Sequence, residues 1–128
     1  MSGVGLWVAI GAGGAVGALA RHSVSRAALH LLGPNFPWGT LAVNLLGSFF
    51  MGLIIVWLSR HEPQSAALRG FLTVGLLGAF TTFSTFALDA VVLIERKAHL
   101  AAAGYVGASV LFSILGLALG LWVMRAVS

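Results

Sequence analysis

Cysteine is absent from this sequence, which excludes disulfides and thiolate metal sites. Charge is nearly absent as well. Asp, Glu, Lys and Arg make up 8% of the 128 residues, where a soluble domain carries about a quarter. Hydrophobic residues make up 59% and mean hydropathy is +1.03, so there is too little polar surface to cover a soluble globule. Acidic residues number only three, against seven Lys and Arg. In a soluble protein the resulting charge of +4 would point to nucleic acid. Here the basic residues are too few and too scattered to form such a face, and they read as membrane topology markers. No H-E-x-x-H or other zinc spacing occurs, and no nucleophile–base pair can be assembled, which argues against an enzyme.

What the chain has instead is long uncharged stretches. Four of them, residues 4–20, 38–58, 70–88 and 100–124, hold 82 of the 128 residues. A spanning helix needs about 20 apolar residues, with a range of roughly 17–25. The first stretch is the shortest and can extend at both ends, with Arg21 snorkelling. Ala18-Leu19-Ala20 resembles a signal-peptide cleavage site, but the first residues lack the usual positive charge and three more spans follow, so the first stretch is read as a retained helix. The connections of 17, 11 and 11 residues hold all three prolines and all four histidines. Trp38, Trp57 and Trp122 sit near segment ends, as in an interfacial aromatic belt, and Trp7 lies slightly inside the first. The expected architecture is a single all-α domain of four transmembrane helices in a plasma membrane.

The basic residues give almost no orientation preference. With four spans, Arg60, Arg69 and Arg125 fall on one side, and Arg21, Arg26, Arg96 and Lys97 on the other. A Lys/Arg excess normally marks the cytoplasmic face. A four-to-three split allows ordinary insertion set by context, and equally allows insertion both ways with assembly as an antiparallel dimer. Many transporters build that symmetry from inverted repeats, and no internal repeat is visible here. Among the 17 glycines, Gly13-x3-Gly17 and Gly116-x3-Gly120 suit close helix packing.

Polar residues inside the spans are sparse and patterned. Thr40, Asn44 and Ser48 lie at i, i+4, i+8, drifting by only about 80° around a helix and forming one stripe. Tyr105, Ser109 and Ser113 repeat the spacing on the fourth span. A lone Asn is ordinarily helix glue, and hydroxyls can bond back to the preceding turn. Two such stripes also fit the walls of one polar path. The third span reads Gly75-x-x-Gly78, then Ala79 and Phe80, then Thr81-Thr82-Phe83-Ser84-Thr85-Phe86. β-Branched and aromatic residues after two glycines leave two readings open. One is an unbroken helix with glycines used for packing. The other is a break whose freed carbonyls line a cavity or bind a cation. Phe83 and Phe86, at i and i+3, share a face, and ring edges weakly favour anions. No ionisable residue lies in the middle of any stretch, which favours passive conduction over coupled transport.

These pieces resemble the small CrcB (Fluc) fluoride channels. The resemblance rests on residues 13–17 followed by Arg21, on residues 38–49 around Asn44, Gly47, Ser48 and Phe49, and on Gly75-x-x-Gly78 with residues 81–86. Length and four-span layout extend it over nearly the whole chain. It implies a third helix broken near its middle, and a dual-topology antiparallel homodimer in the bacterial inner membrane. It implies two fluoride pores that let cytoplasmic fluoride leave passively and so give resistance. Asn44 would donate its amide to fluoride, and the ring edges of Phe83 and Phe86 would contact it. Ser84, Thr85, Ser109 and Ser113 would form a hydroxyl track, with Thr40 beside it, and Tyr105 would support Asn44 or the phenylalanines. Carbonyls of Gly78 and Thr81 would hold a structural Na⁺ at the dimer axis, and Arg21 would sit near the cytoplasmic vestibule. The chain departs from the pattern at Ala79, where a glycine is expected, and at Asp89, where a glutamate is expected.

Two other functions compete. A small dual-topology multidrug exporter is expected to carry a membrane-embedded acidic residue, which the four stretches lack. A structural membrane-assembly protein would use the glycines and polar stripes for packing alone.

Overall fold

The computed structural model describes residues 3–128, and everything in it is helix or short connection. Helix α1 runs Gly3–Leu32 and α2 runs Trp38–Arg60. Helix α3, residues 66–80, opens in α geometry over Ala66–Arg69, widens to π-helix over Gly70–Leu77 and closes with an α turn at Gly78–Phe80. After the break come α4, Ser84–Glu95, and α5, His99–Val127. The four stretches Gly3–Leu32, Trp38–Arg60, Ala66–Glu95 and His99–Val127 are each long and apolar enough to cross a membrane.

The helices outrun the uncharged stretches. At 1.5 Å per residue the 30 residues of α1 reach about 45 Å, against about 30 Å of hydrocarbon. His22 and His30 therefore lie on α1 and His99 opens α5, while only His61 sits between helices. Arg21 and Asp89, which flank the uncharged stretches, are on the helices themselves. A charge does not end a helix; backbone chemistry does. Helix α1 stops at Gly33, whose φ of +84° is a left-handed value glycine adopts freely and whose N–H bonds the Leu29 carbonyl at 3.0 Å. Pro34 and Pro37 follow. The Ser65 hydroxyl starts α3 by accepting from the Leu68 N–H at 3.1 Å.

Two helix pairs carry most of the packing: α2 lies along α5, and α1 along α3. Both seams depend on close backbone approach. A Cβ on Gly52 would run into the Leu117 carbonyl, and one on Gly120 into the Phe49 carbonyl. A Cβ on Gly17 would strike the Leu76 carbonyl in the same way. Lipid supplies no hydrophobic drive between helices, so such contacts carry the association. Arg60 ties the far end of α2 to α5 through the Arg125 carbonyl at 3.1 Å and the Ser128 hydroxyl at 2.8 Å. The outer surface is apolar: Trp7, Leu19, Leu100 and Trp122 are all well exposed, as a lipid-facing surface requires.

A polar cavity at the helix break

Helix α3 ends because Thr81 turns to extended backbone, φ −87° and ψ 160°. A break inside a spanning segment leaves N–H and C=O groups that lipid cannot satisfy. Three side chains take up four of them. Asn44 on α2 clamps Thr82 from both sides: its Oδ1 accepts from the Thr82 N–H at 2.8 Å, and its Nδ2 donates to the Thr82 carbonyl at 3.0 Å. Arg21 on α1 donates from Nε to the Ala79 carbonyl at 3.0 Å. The Thr82 hydroxyl accepts from the Thr85 N–H at 3.2 Å, doing the work of an N-cap for α4.

This exchange decides which carbonyls are released. In an unbroken helix the Thr82 N–H would serve the Gly78 carbonyl, and the Thr85 N–H would serve that of Thr81. Both donors are diverted, the first to Asn44 and the second to the Thr82 hydroxyl. The N–H and hydroxyl of Thr81 both turn back to the Leu77 carbonyl, at 3.1 and 3.0 Å.

A cavity of about 390 Å³ opens beside the break. Of the residues expected from sequence, Asn44, Gly78, Thr81, Phe83, Phe86, Ser109 and Ser113 line it, joined by Ser48 and Thr82. The Ser109 hydroxyl is buried and is the one such side-chain polar atom, among the described residues, with no hydrogen-bond partner. Phe83 stands at the rim, 80% exposed, its ring centroid 5.7 Å from that of Phe86. Of the two Nδ2 protons on Asn44, one is committed to Thr82 and the other remains for a ligand.

The remaining candidates lie elsewhere. Ser84 is exposed and Thr85 half-buried on α4, and neither lines the cavity. Thr40 is buried and lines a second cavity of about 270 Å³, together with Phe36, Trp38, Asp89 and Arg96. Between the two sits Tyr105, wholly buried, its ring 5.2 Å from Phe86 and edge-on to Phe36 at 5.5 Å. Its hydroxyl donates to Asp89 Oδ2 at 3.1 Å, so Tyr105 braces Phe86 and Asp89 and makes no bond to Asn44. Thr82 and Phe36 are site residues to which sequence reasoning gave no role, and Ser48 entered it only as a member of the polar stripe. Ser48 was readable from the stripe it shares with Asn44, whereas a residue engaged through its backbone, as Thr82 is, leaves no side-chain signal. Among the described residues no cluster of His, Asp or Glu could hold a metal.

The family model described as CrcB-like protein, Camphor Resistance (CrcB), matches residues 8–121. Similar proteins named fluoride-specific ion channel FluC include one from Chelativorans, 54% identical over 115 residues, covering 90% of this chain and 92% of its own length. Another, from Mesorhizobium japonicum, is 50% identical over 114 residues, covering 89% and 91%. A third, from Rhodospirillum centenum, is 50% identical over 119 residues, covering 92% and 94%. With its four spanning helices and ion-channel relatives, the chain is a multi-pass protein of the bacterial inner membrane and not an enzyme. Matched from its first helix to its last and half identical to these relatives, the chain belongs to the CrcB-like family.

Proposed function

We propose that the chain forms a fluoride-selective channel that lets cytoplasmic fluoride leave passively down its electrochemical gradient and so confers fluoride resistance. The observation that carries this reading is the cavity at the break, where the buried, unpartnered Ser109 hydroxyl lines the same space as Asn44, Phe83 and Phe86. Fluoride is small and strongly hydrated, so it leaves water only for dense donors. Hydroxyl and amide N–H groups, with the positive edges of phenyl rings, supply these without a fixed charge that would trap the ion. Conduction needs binding strong enough to admit an ion and weak enough to release it. Ser109 and Ser113, one turn apart on α5, provide successive hydroxyl positions along the path.

The working unit in this reading is an antiparallel homodimer of dual topology with two pores. The four-to-three split of basic residues supports it, and so do the exposed Phe83 and Gly78 at the rim, which leave one wall of the cavity unbuilt in a single protomer. Ser84 and Thr85 join the path in this reading only if the partner completes it. The Gly78 and Thr81 carbonyls, left without their helical donors, are hard oxygen ligands of the kind a Na⁺ takes, and two copies of each at a two-fold axis would suit a structural ion. Bound there, Na⁺ would add positive potential beside the pores. What this chain contributes is the diversion of two N–H groups that exposes those oxygens.

Fluoride efflux from proteoliposomes, followed with an ion-selective electrode, tests the proposal. Rapid fluoride loss with chloride retained is expected. Chloride leaving as fast as fluoride, or no fluoride efflux, refutes it.

A further inference from the structure

We propose that Arg21 acts as the C-terminal cap of α3 through its Nε, a positioning residue for the break, and not as a charge that draws fluoride to the pore.

The contact itself singles out the nitrogen. Nε, not a terminal guanidinium nitrogen, donates to the Ala79 carbonyl at 3.0 Å. In a continuous helix that carbonyl would accept from the N–H of Phe83, which lies beyond the break. Ala79 is close to the midpoint of the Ala66–Glu95 span, where no bulk water can replace the lost donor. The C-terminal end of a helix also carries partial negative charge, which favours a cation there. Helix α1 is placed to reach it. Gly17, one turn earlier on the same face, brings the α1 backbone against the Leu76 carbonyl and the Ala79 side chain. Arg21 then emerges beside the last turn of α3. Together Arg21 and Asn44 satisfy three backbone groups of the break from two different helices. With the Ala79 oxygen taken, the carbonyls at the break left without their helical donors are those of Gly78, Phe80 and Thr81. Only the flux readout below rests on the channel reading.

Two substitutions separate cap from charge. Glutamine carries a nitrogen donor the same number of bonds from Cα as Nε and has no charge. Lysine keeps the charge but puts a methylene at that position and its nitrogen one bond farther out. The full-length protein in lipid vesicles is assayed as wild type, Arg21→Ala, Arg21→Gln and Arg21→Lys. The two readouts are backbone amide exchange and fluoride efflux. The expectation is that Arg21→Ala speeds exchange over residues 79–85 and lowers flux about tenfold or more. Arg21→Gln rescues both, and Arg21→Lys rescues neither. Exchange around Gly52 and Gly120, on the distant α2–α5 seam, stays at the wild-type level in all three. Rescue by Lys and not Gln assigns the role to charge and overturns the proposal. Equal behaviour of Gln and Lys, in either direction, overturns it too, as does loss of protection on the α2–α5 seam. If Arg21→Lys fails to fold, the Gln comparison still decides, because a folded Arg21→Gln protein with fast exchange at the break refutes the cap. Wild-type protein without fluoride efflux would defeat the channel reading and leave the exchange comparison to judge Arg21.

Discussion

Replacing Asn44 separates two functions that one side chain performs. The carboxamide holds Thr82 through bonds of 2.8 and 3.0 Å and retains one N–H for the cavity. Asn44→Ala strands the Thr82 N–H and C=O, at about 1–3 kcal/mol for each buried group left unpaired, or about 2–6 kcal/mol together. That is a large share of the roughly 5–15 kcal/mol by which proteins are stable. The break should therefore loosen and unfolding in detergent should come earlier. Asn44→Asp is nearly isosteric and keeps the acceptor for the Thr82 N–H. It turns the other position into an oxygen facing the Thr82 carbonyl, and it places a negative charge in the cavity. Its stability loss should exceed that of one stranded carbonyl, because the carboxylate also faces that carbonyl and is poorly solvated there. A hydrogen bond to an ion is worth about 1.5–3 kcal/mol, so losing the donor alone slows flux by one to two orders of magnitude. The added charge slows it further. The assay pairs thermal unfolding, followed by size-exclusion chromatography, with fluoride efflux from proteoliposomes. Asn44→Asp should lose more flux than Asn44→Ala per unit of stability lost. An Asn44→Ala protein with wild-type stability and wild-type flux refutes the clamp and the donor together. Asn44→Asp conducting like wild type refutes the donor alone.

Other sites give sharper single outcomes. Ser109→Ala removes a buried hydroxyl that has no partner, so stability should hold or rise slightly while fluoride efflux falls, a combination that pure packing does not produce. Tyr105→Phe keeps the ring contacts with Phe36 and Phe86 but deletes the 3.1 Å bond to Asp89, and thermal unfolding should register a loss of about 1 kcal/mol. Gly120→Val should abolish a monodisperse protein on size exclusion, because its Cβ would enter the Phe49 carbonyl, whereas Gly116→Ala, with the Leu45 carbonyl at an ordinary 3.5 Å, should elute as wild type.

The sequence made the spans legible because lipid demands long uncharged runs and little else does. Residues 70–88 left two readings open, since two glycines followed by threonines and phenylalanines fit a close-packed helix as well as a break. Helix ends were not legible from charge. His22, Arg26 and His30 sit on the last three turns of α1, and termination waits for Gly33. The partners of the break were hidden for a different reason. Asn44 and Arg21 both bind main-chain atoms, and main-chain atoms have no sequence. The polar stripe was half legible. Thr40, Asn44 and Ser48 do share a face, but eight residues of helix cover about 12 Å. Over that distance the buried Tyr105 divides one cavity from the other and sends Thr40 to a different site from Asn44.

Backbone demand at the break also bears on how many copies the site needs. A side chain that caps a carbonyl is withdrawn, in part or whole, from any ligand. Asn44 keeps one N–H of its two, and Arg21 spends its Nε–H on Ala79. The donors a protomer turns into the cavity are then that N–H and the hydroxyls of Ser48, Ser109 and Ser113, with ring edges from Phe83 and Phe86. All come from α2, α4, α5 and the break itself, at an opening whose rim residue Phe83 is 80% exposed. An exposed phenyl at the mouth of a polar cavity leaves ring edge that a single protomer does not use. A second copy related by a two-fold axis would bring the same ring and the same freed carbonyls to the opposite wall, from a sequence that carries no internal repeat. The four-to-three balance of basic residues is what would let that copy insert upside down.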